Sequence, residues 1–130
     1  MLKRIFYWVL TALLAAWLVA GGIFDSTHAP AAMALLHKLG YPDYLASFLG
    51  VCKLLAVPAL LYPPARLLRE WAYAGIAFDV LGACFSHLAV KDDLGATIAP
   101  LVMLVLAIGS YLLRPPNYRS LPAEAFALRS

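Results

Sequence analysis

Charge is what this chain has least of. Only 13% of its residues are Asp, Glu, Lys or Arg, about half the share of a soluble domain, while 64% are hydrophobic. A water-soluble globule of this length has no interior large enough to hide so much apolar surface, so that class is excluded. Cysteine is also scarce: Cys52 and Cys84 are the only two, and they form no C-x-x-C pair, which removes the dithiol chemistry of a membrane disulfide oxidoreductase. Read as helix residues they differ by about 12 Å in depth at ~1.5 Å per residue, too far for a disulfide, and are expected to pack as inert side chains. No flavin, nucleotide or haem motif is present, and neither H-x-x-E-H nor paired-helix histidine spacing occurs. The formal charge of +3 is carried by short flanks between apolar runs, with no basic stripe for nucleic acid.

What is present is a series of apolar runs of spanning length. Lys3 and Arg4 precede IFYWVLTALLAAWLVAGGIF, whose about 20 uncharged residues match a retained span better than a signal-peptide core. The Gly21-Gly22 pair at its end permits close helix approach or fraying. Further spans are expected at about 44–62, 67–89 and 95–113, giving an all-α, four-helix transmembrane bundle over residues 1–116 and a flexible tail over 117–130. Asp25 to Asp43 reads as the longest connection, with a short interfacial helix in PAAMALLHKL, begun by Pro30 and stopped at Gly40-Tyr41-Pro42. Lys3, Arg4, Arg66, Arg69, Arg114, Arg119 and Arg129 fall on one side, whereas the opposite loops hold Lys38 and Lys91 among four aspartates. The positive-inside rule then places both termini in the cytoplasm.

Against this background the third span stands out. RLLREWAYAGIAFDVLGACFSH carries Glu70, Asp79 and His87, and a carboxylate at mid-span costs about 2.5–3.5 kcal/mol on insertion scales, which makes it a functional-site hypothesis with a partner to be found. Measured from the Pro63-Pro64 turn at ~1.5 Å per residue, Lys53 lies roughly 16 Å up its helix, Asp79 roughly 22 Å and Glu70 about 9 Å. Lys53 is therefore the partner expected for Asp79, with Glu70 a competitor for it. Trp71, Gly75, Asp79, Gly82 and Ser86 recur at helical spacing and give a small, polar face, and Gly82-x-x-x-Ser86 is a close-approach pattern. Two readings stay open: an ion pair that locks helices together, or a proton-accepting or ligand-binding site. His28, His37 and His87 all plot near the outer side, but their spacing names no metal, and His87 fits a proton-relay or pocket-rim role best.

LGYPDYLASFLGVCKLLAVPALLYP, RLLREWAYAGIAFDVLGACFSHLAVKDD and SYLLRPP closely resemble the DoxX-like family of small bacterial membrane proteins, over nearly the whole chain. E-W-A-Y-A-G followed by G-A-x-x-S-H is the most specific part, and the positions that carry the resemblance are Tyr41, Pro42, Lys53, Glu70, Trp71, Tyr73, Gly75, Gly82, Ser86 and His87. Lys91-Asp92-Asp93 departs from the family's usual short Gly-Asp turn, and Leu55-Ala56 lacks a glycine often found after the lysine. The family takes its name from a subunit of an archaeal thiosulfate:quinone oxidoreductase. The resemblance implies a multi-pass protein of the bacterial inner membrane, an auxiliary subunit that binds a quinone or other lipophilic molecule in a redox or stress-related complex. Lys53, Asp79 and His87 would carry the chemistry, with Glu70, Trp71, Tyr73, Gly75, Gly82 and Ser86 lining the pocket. Electrons would come from a partner protein, so the chain is at most an oxidoreductase subunit. The lipid bilayer is its other partner, and a homodimer is left open. The alternatives are a small proton-coupled transporter or efflux component and a scaffold without ligand.

Overall fold

The computed structural model describes residues 1–62 and 64–118, and all regular structure among them is helical. Five helices follow in order: α1 (Leu2–Ser26), α2 (Pro30–Lys38), α3 (Asp43–Leu61), α4 (Arg66–Ala89) and α5 (Leu94–Leu112), with a 3-10 turn at Pro116–Tyr118. All but α2 are long and apolar enough to cross a membrane, and an even number of spans puts both ends of the bundle on one side. Side chains that a soluble protein would bury point outward instead: Phe78 is 76% exposed, Phe85 73% and Val105 68%. Only lipid makes such a surface tolerable, because apolar area left in water forfeits about 25 cal/mol per Å².

Helix ends follow local chemistry. Pro30 supplies the fixed φ of a first helical turn in α2. Gly40, at φ +84°, turns the chain into α3, a left-handed conformation that glycine adopts without steric cost. Helices α3 and α5 continue through Pro58 and Pro100. At the end of the bundle that carries the termini the guanidinium of Arg69, fully buried, donates to the carbonyls of Leu60 (3.3 Å), Tyr118 (2.8 Å) and Tyr62 and lies over the Tyr118 ring. It satisfies carbonyls that the end of α3 leaves without intrahelical donors.

The closest helix contact is between α1 and α3. A Cβ on Gly50 would stand 2.3 Å from Ser26 Oγ and 2.9 Å from the Gly22 carbonyl, and one on Gly22 would stand 2.7 Å from Leu54. Of the two roles open to Gly21-Gly22, close approach is the one realised. A layer of Leu14, Leu18, Leu60, Ile76, Val80, Met103 and Ala107 fills the centre of the bundle. Hydroxyls cross it from three helices: Ser110 Oγ lies 2.6 Å from Thr11 Oγ1 and 2.7 Å from the Tyr73 hydroxyl.

Two boundaries and one packing pattern differ from expectation. Asp25 lies in the last turn of α1 rather than in the loop, which begins only at Thr27. The chain after α5 does not leave the bundle at Asn117, since the Tyr118 ring is buried against Tyr7 and Trp8. The rest of the expected flexible tail, with Arg119 and Arg129, lies outside the described residues. Gly82 faces open space, so the Gly82-x-x-x-Ser86 pattern does not bring a helix close.

Candidate site in the groove between the second and third spans

Lys53 projects from α3 toward α1, its stem passing Gly21, where an added Cβ would already be 3.7 Å from Lys53 Cδ. Its ammonium donates to Asp25 Oδ2 at 2.6 Å, and Nζ stands 5.6 Å from the centre of the Trp17 ring. Asp79 approaches from α4, but its Oδ2 is 3.9 Å from Nζ. That is an electrostatic contact and too long for a hydrogen bond. The expected Lys53–Asp79 pair is present as an ion pair at 3.9 Å, and Asp25 joins it as the closer partner, so the arrangement has three members. The side chains of Lys53 and Asp25 are each 15% exposed and that of Asp79 28%, so Asp79 is the most accessible of the three.

Helices α3 and α4 are tied at both ends and apart in the middle. At the end away from the termini Ser86 Oγ donates to the Gly82 carbonyl (2.7 Å), so the hydrogen of its bond to Tyr41 comes from the phenol, just ahead of α3. Beside it Lys38 donates to Asp92 at 2.6 Å, and the Nδ1 of the buried His87 donates to the same carboxylate at 2.9 Å. The Lys38 ammonium foremost, then His87 and the Asp93 backbone N–H, hold Asp92 down to about 2. Arg69 makes the tie at the end that carries the termini. Between these ties a groove of about 990 Å³ opens, lined by Phe48, Leu55, Trp71, Gly75, Phe78 and other apolar residues, with Lys53 and Asp79 as its charged members. Phe48, Trp71 and Phe78 are themselves largely exposed, so the groove gives onto the lipid-facing surface.

The structure brings Lys53, Asp79, Trp71 and Gly75 together and sets the other sequence-derived candidates elsewhere. Glu70 pairs with Arg114 and accepts from the Tyr111 hydroxyl at 3.0 Å, beside a smaller recess of about 280 Å³ between α4 and α5 that Tyr73 also lines. It does not compete for Lys53. Nine residues at about 100° each put Glu70 on the opposite side of α4 from Asp79, a signal present in the spacing. Tyr73 is engaged with Ser110, while Ser86 and His87 belong to the tie at the end away from the termini. The histidines do not share a site: His28 bonds Ser47, His37 bonds Asp43 and His87 bonds Asp92. Asp25 was the residue that sequence reasoning missed. Its position four after Gly21, on the face that meets Lys53, would have shown it had the first helix been carried one turn further.

A model of the DoxX-like family matches residues 9–110. No curated protein and no solved structure matches the chain.

Proposed function

The chain belongs to the DoxX-like family, and from that premise together with the α3–α4 groove we propose that it binds a quinone or a similar lipophilic molecule drawn from the bilayer. The observation that carries this reading is the groove itself: apolar and aromatic along its length, open toward lipid, with one ammonium and one carboxylate part-way along it. Lipophilic ligands sit in mostly apolar clefts whose few polar groups fix their orientation. The donor set fits a quinone head. Lys53, held by Asp25, has further N–H groups to offer a carbonyl oxygen. Asp79 stands beside it as the group able to accept and return a proton, and the Trp71 ring lines the same wall.

A quinone supplies two-electron, two-proton chemistry when bound, and its electrons come from a partner protein in a redox or stress-related complex. His87, hydrogen-bonded to Asp92, and Glu70, paired with Arg114, lie outside the groove and take no part in this chemistry. The lysines and arginines on the side of both termini, against aspartates on the other, support cytoplasmic termini and placement in the bacterial inner membrane.

The test is titration of the detergent-solubilised protein with decylubiquinone, followed by tryptophan fluorescence. Saturable quenching is expected in the wild type and in Glu70→Gln, with at least tenfold weaker binding in Lys53→Met. A monodisperse, folded protein that shows no saturable quenching ends the quinone reading.

One observation favours a second reading: a single ammonium set between two carboxylates is the composition of a proton-exchanging carrier site. Proton-dependent solute flux in proteoliposomes, without quinone binding, would select it.

A further inference from the structure

The 3.9 Å between Lys53 Nζ and Asp79 Oδ2 has a chemical meaning. It exceeds the roughly 2.7–3.2 Å of an N–H···O hydrogen bond. It is the span that one oxygen atom bridges, with bonds of about 2.8 Å to each side and an angle near 90° between them. Lys53 is already engaged by Asp25 at 2.6 Å. Among the described residues, no donor lies within hydrogen-bond distance of the Asp79 carboxylate, which faces the groove.

A ligand oxygen set between the two would accept a hydrogen bond from an ammonium and donate one to a carboxylate. A hydroxyl does both, whereas a carbonyl oxygen only accepts. An oxidised ring therefore satisfies Lys53 and leaves Asp79 facing a second acceptor. A reduced ring satisfies both, and hydrogen bonds to ionised groups are roughly twice as strong as neutral ones.

We propose that the groove selects the reduced, hydroxyl-bearing form of its lipophilic ligand, with Asp79 as the specificity-determining residue and Asp25 as the positioning residue that keeps Lys53 from closing the gap. This rests on the quinone reading above and adds the redox form preferred. Phe48, Trp71 and Phe78 supply apolar walls against which the ring and tail of such a ligand can lie. A protein that binds the reduced member of a couple more tightly raises the midpoint potential of the bound couple, by about 30 mV for each tenfold in affinity in a two-electron system.

The experiment compares decylubiquinol and decylubiquinone by isothermal titration calorimetry on the detergent-solubilised full chain under argon. Tighter binding of the quinol by about tenfold is expected, as is the loss of one hydrogen bond to a charged group when the ring is oxidised. Asp79→Leu should bring the two forms within about twofold of each other while still binding the quinone. Asp25→Asn should also diminish the preference, because the freed lysine can then reach Asp79. Asp79→Asn, whose amide both donates and accepts, serves as a second variant with little change in shape, and its preference should vanish as well. Spectroelectrochemical titration gives an independent readout: the bound couple's midpoint should rise in the wild type and not in Asp79→Leu. Equal affinities, tighter binding of the oxidised form, or a preference that survives Asp79→Leu would overturn the inference and leave the quinone reading standing. Failure of both forms to bind would end both.

Discussion

Lys53 is the residue around which the polar chemistry turns, because an ammonium at this depth persists only where its charge is answered. Asp25 answers it directly at 2.6 Å, and both side chains are only 15% exposed. Removing one partner of such a pair leaves an uncompensated charge, so Asp25→Leu is expected to destabilise the folded protein by about 3 kcal/mol. Adding Lys53→Met should recover most of that loss, a result that thermal melts in micelles would give directly. Equal stability of the single variant and the wild type would mean that the pair contributes nothing to the fold. Asp92 makes the complementary point outside the spans. Its folded-state value is about 2, below the 3.8 of a free side chain. A lowered carboxylate stabilises the fold fully above its free value and loses that contribution as pH falls through its folded one. Melts from pH 5 to pH 2 should therefore show the wild-type advantage over Asp92→Asn intact near pH 5, shrinking below about pH 4 and close to gone at pH 2.

At the scale of helices, glycine decides which pairs come close. The α1–α3 contact leaves no room for a methyl at Gly50, where two of the three atoms it would meet, the Ser26 nitrogen at 2.6 Å and the Gly22 oxygen at 2.9 Å, are backbone. Gly50→Ala must push α1 and α3 apart and is expected to cost about 2 kcal/mol. Gly82 of α4 meets nothing within 4 Å. Gly82→Ala should leave stability unchanged or raise it by up to about 1 kcal/mol through helix propensity. A comparable loss at both positions would contradict this assignment of the close contact. Helix α4 also shows how one element serves two sides. Trp71, Gly75 and Asp79 look into the α3–α4 groove, while Glu70 and Tyr73 face α5.

The molecule as a whole is a bundle whose second and third spans are fastened at their ends by polar ties and parted between them. Arg69 ties them at the end that carries the termini, and at the other end Tyr41, just ahead of α3, bonds Ser86 of α4, while Lys38 of α2 and His87 both hold Asp92. The groove is reached from the side, through the bilayer, which suits a ligand already dissolved in lipid. Orientation belongs to this scale. The proposed topology, with both termini in the cytoplasm, predicts that a fluorescent protein fused after Ser130 fluoresces and a periplasm-dependent phosphatase fused there is inactive; the opposite pattern would reverse it.

Hydropathy sufficed for the four spans, because runs this apolar and this long have no other stable home and each must satisfy its backbone internally; the short helix between the first two was marked by Pro30 at its start and Gly40 at its stop. Lys53 and Asp79 were legible for the same reason: charges in such runs are costly enough to mark themselves. Spacing along α4 also held the separation of Glu70 from Asp79, since helical periodicity fixes which residues share a face. The closer partner of Lys53, Asp25, was not legible. It depended on how far α1 continues past Gly22 and on the Gly22–Gly50 contact that draws Asp25 over α3, a matter of packing between elements distant in the chain. The gap between Lys53 and Asp79, and the groove that contains it, depend on how far apart α3 and α4 are held across the bundle, and no single segment encodes that distance.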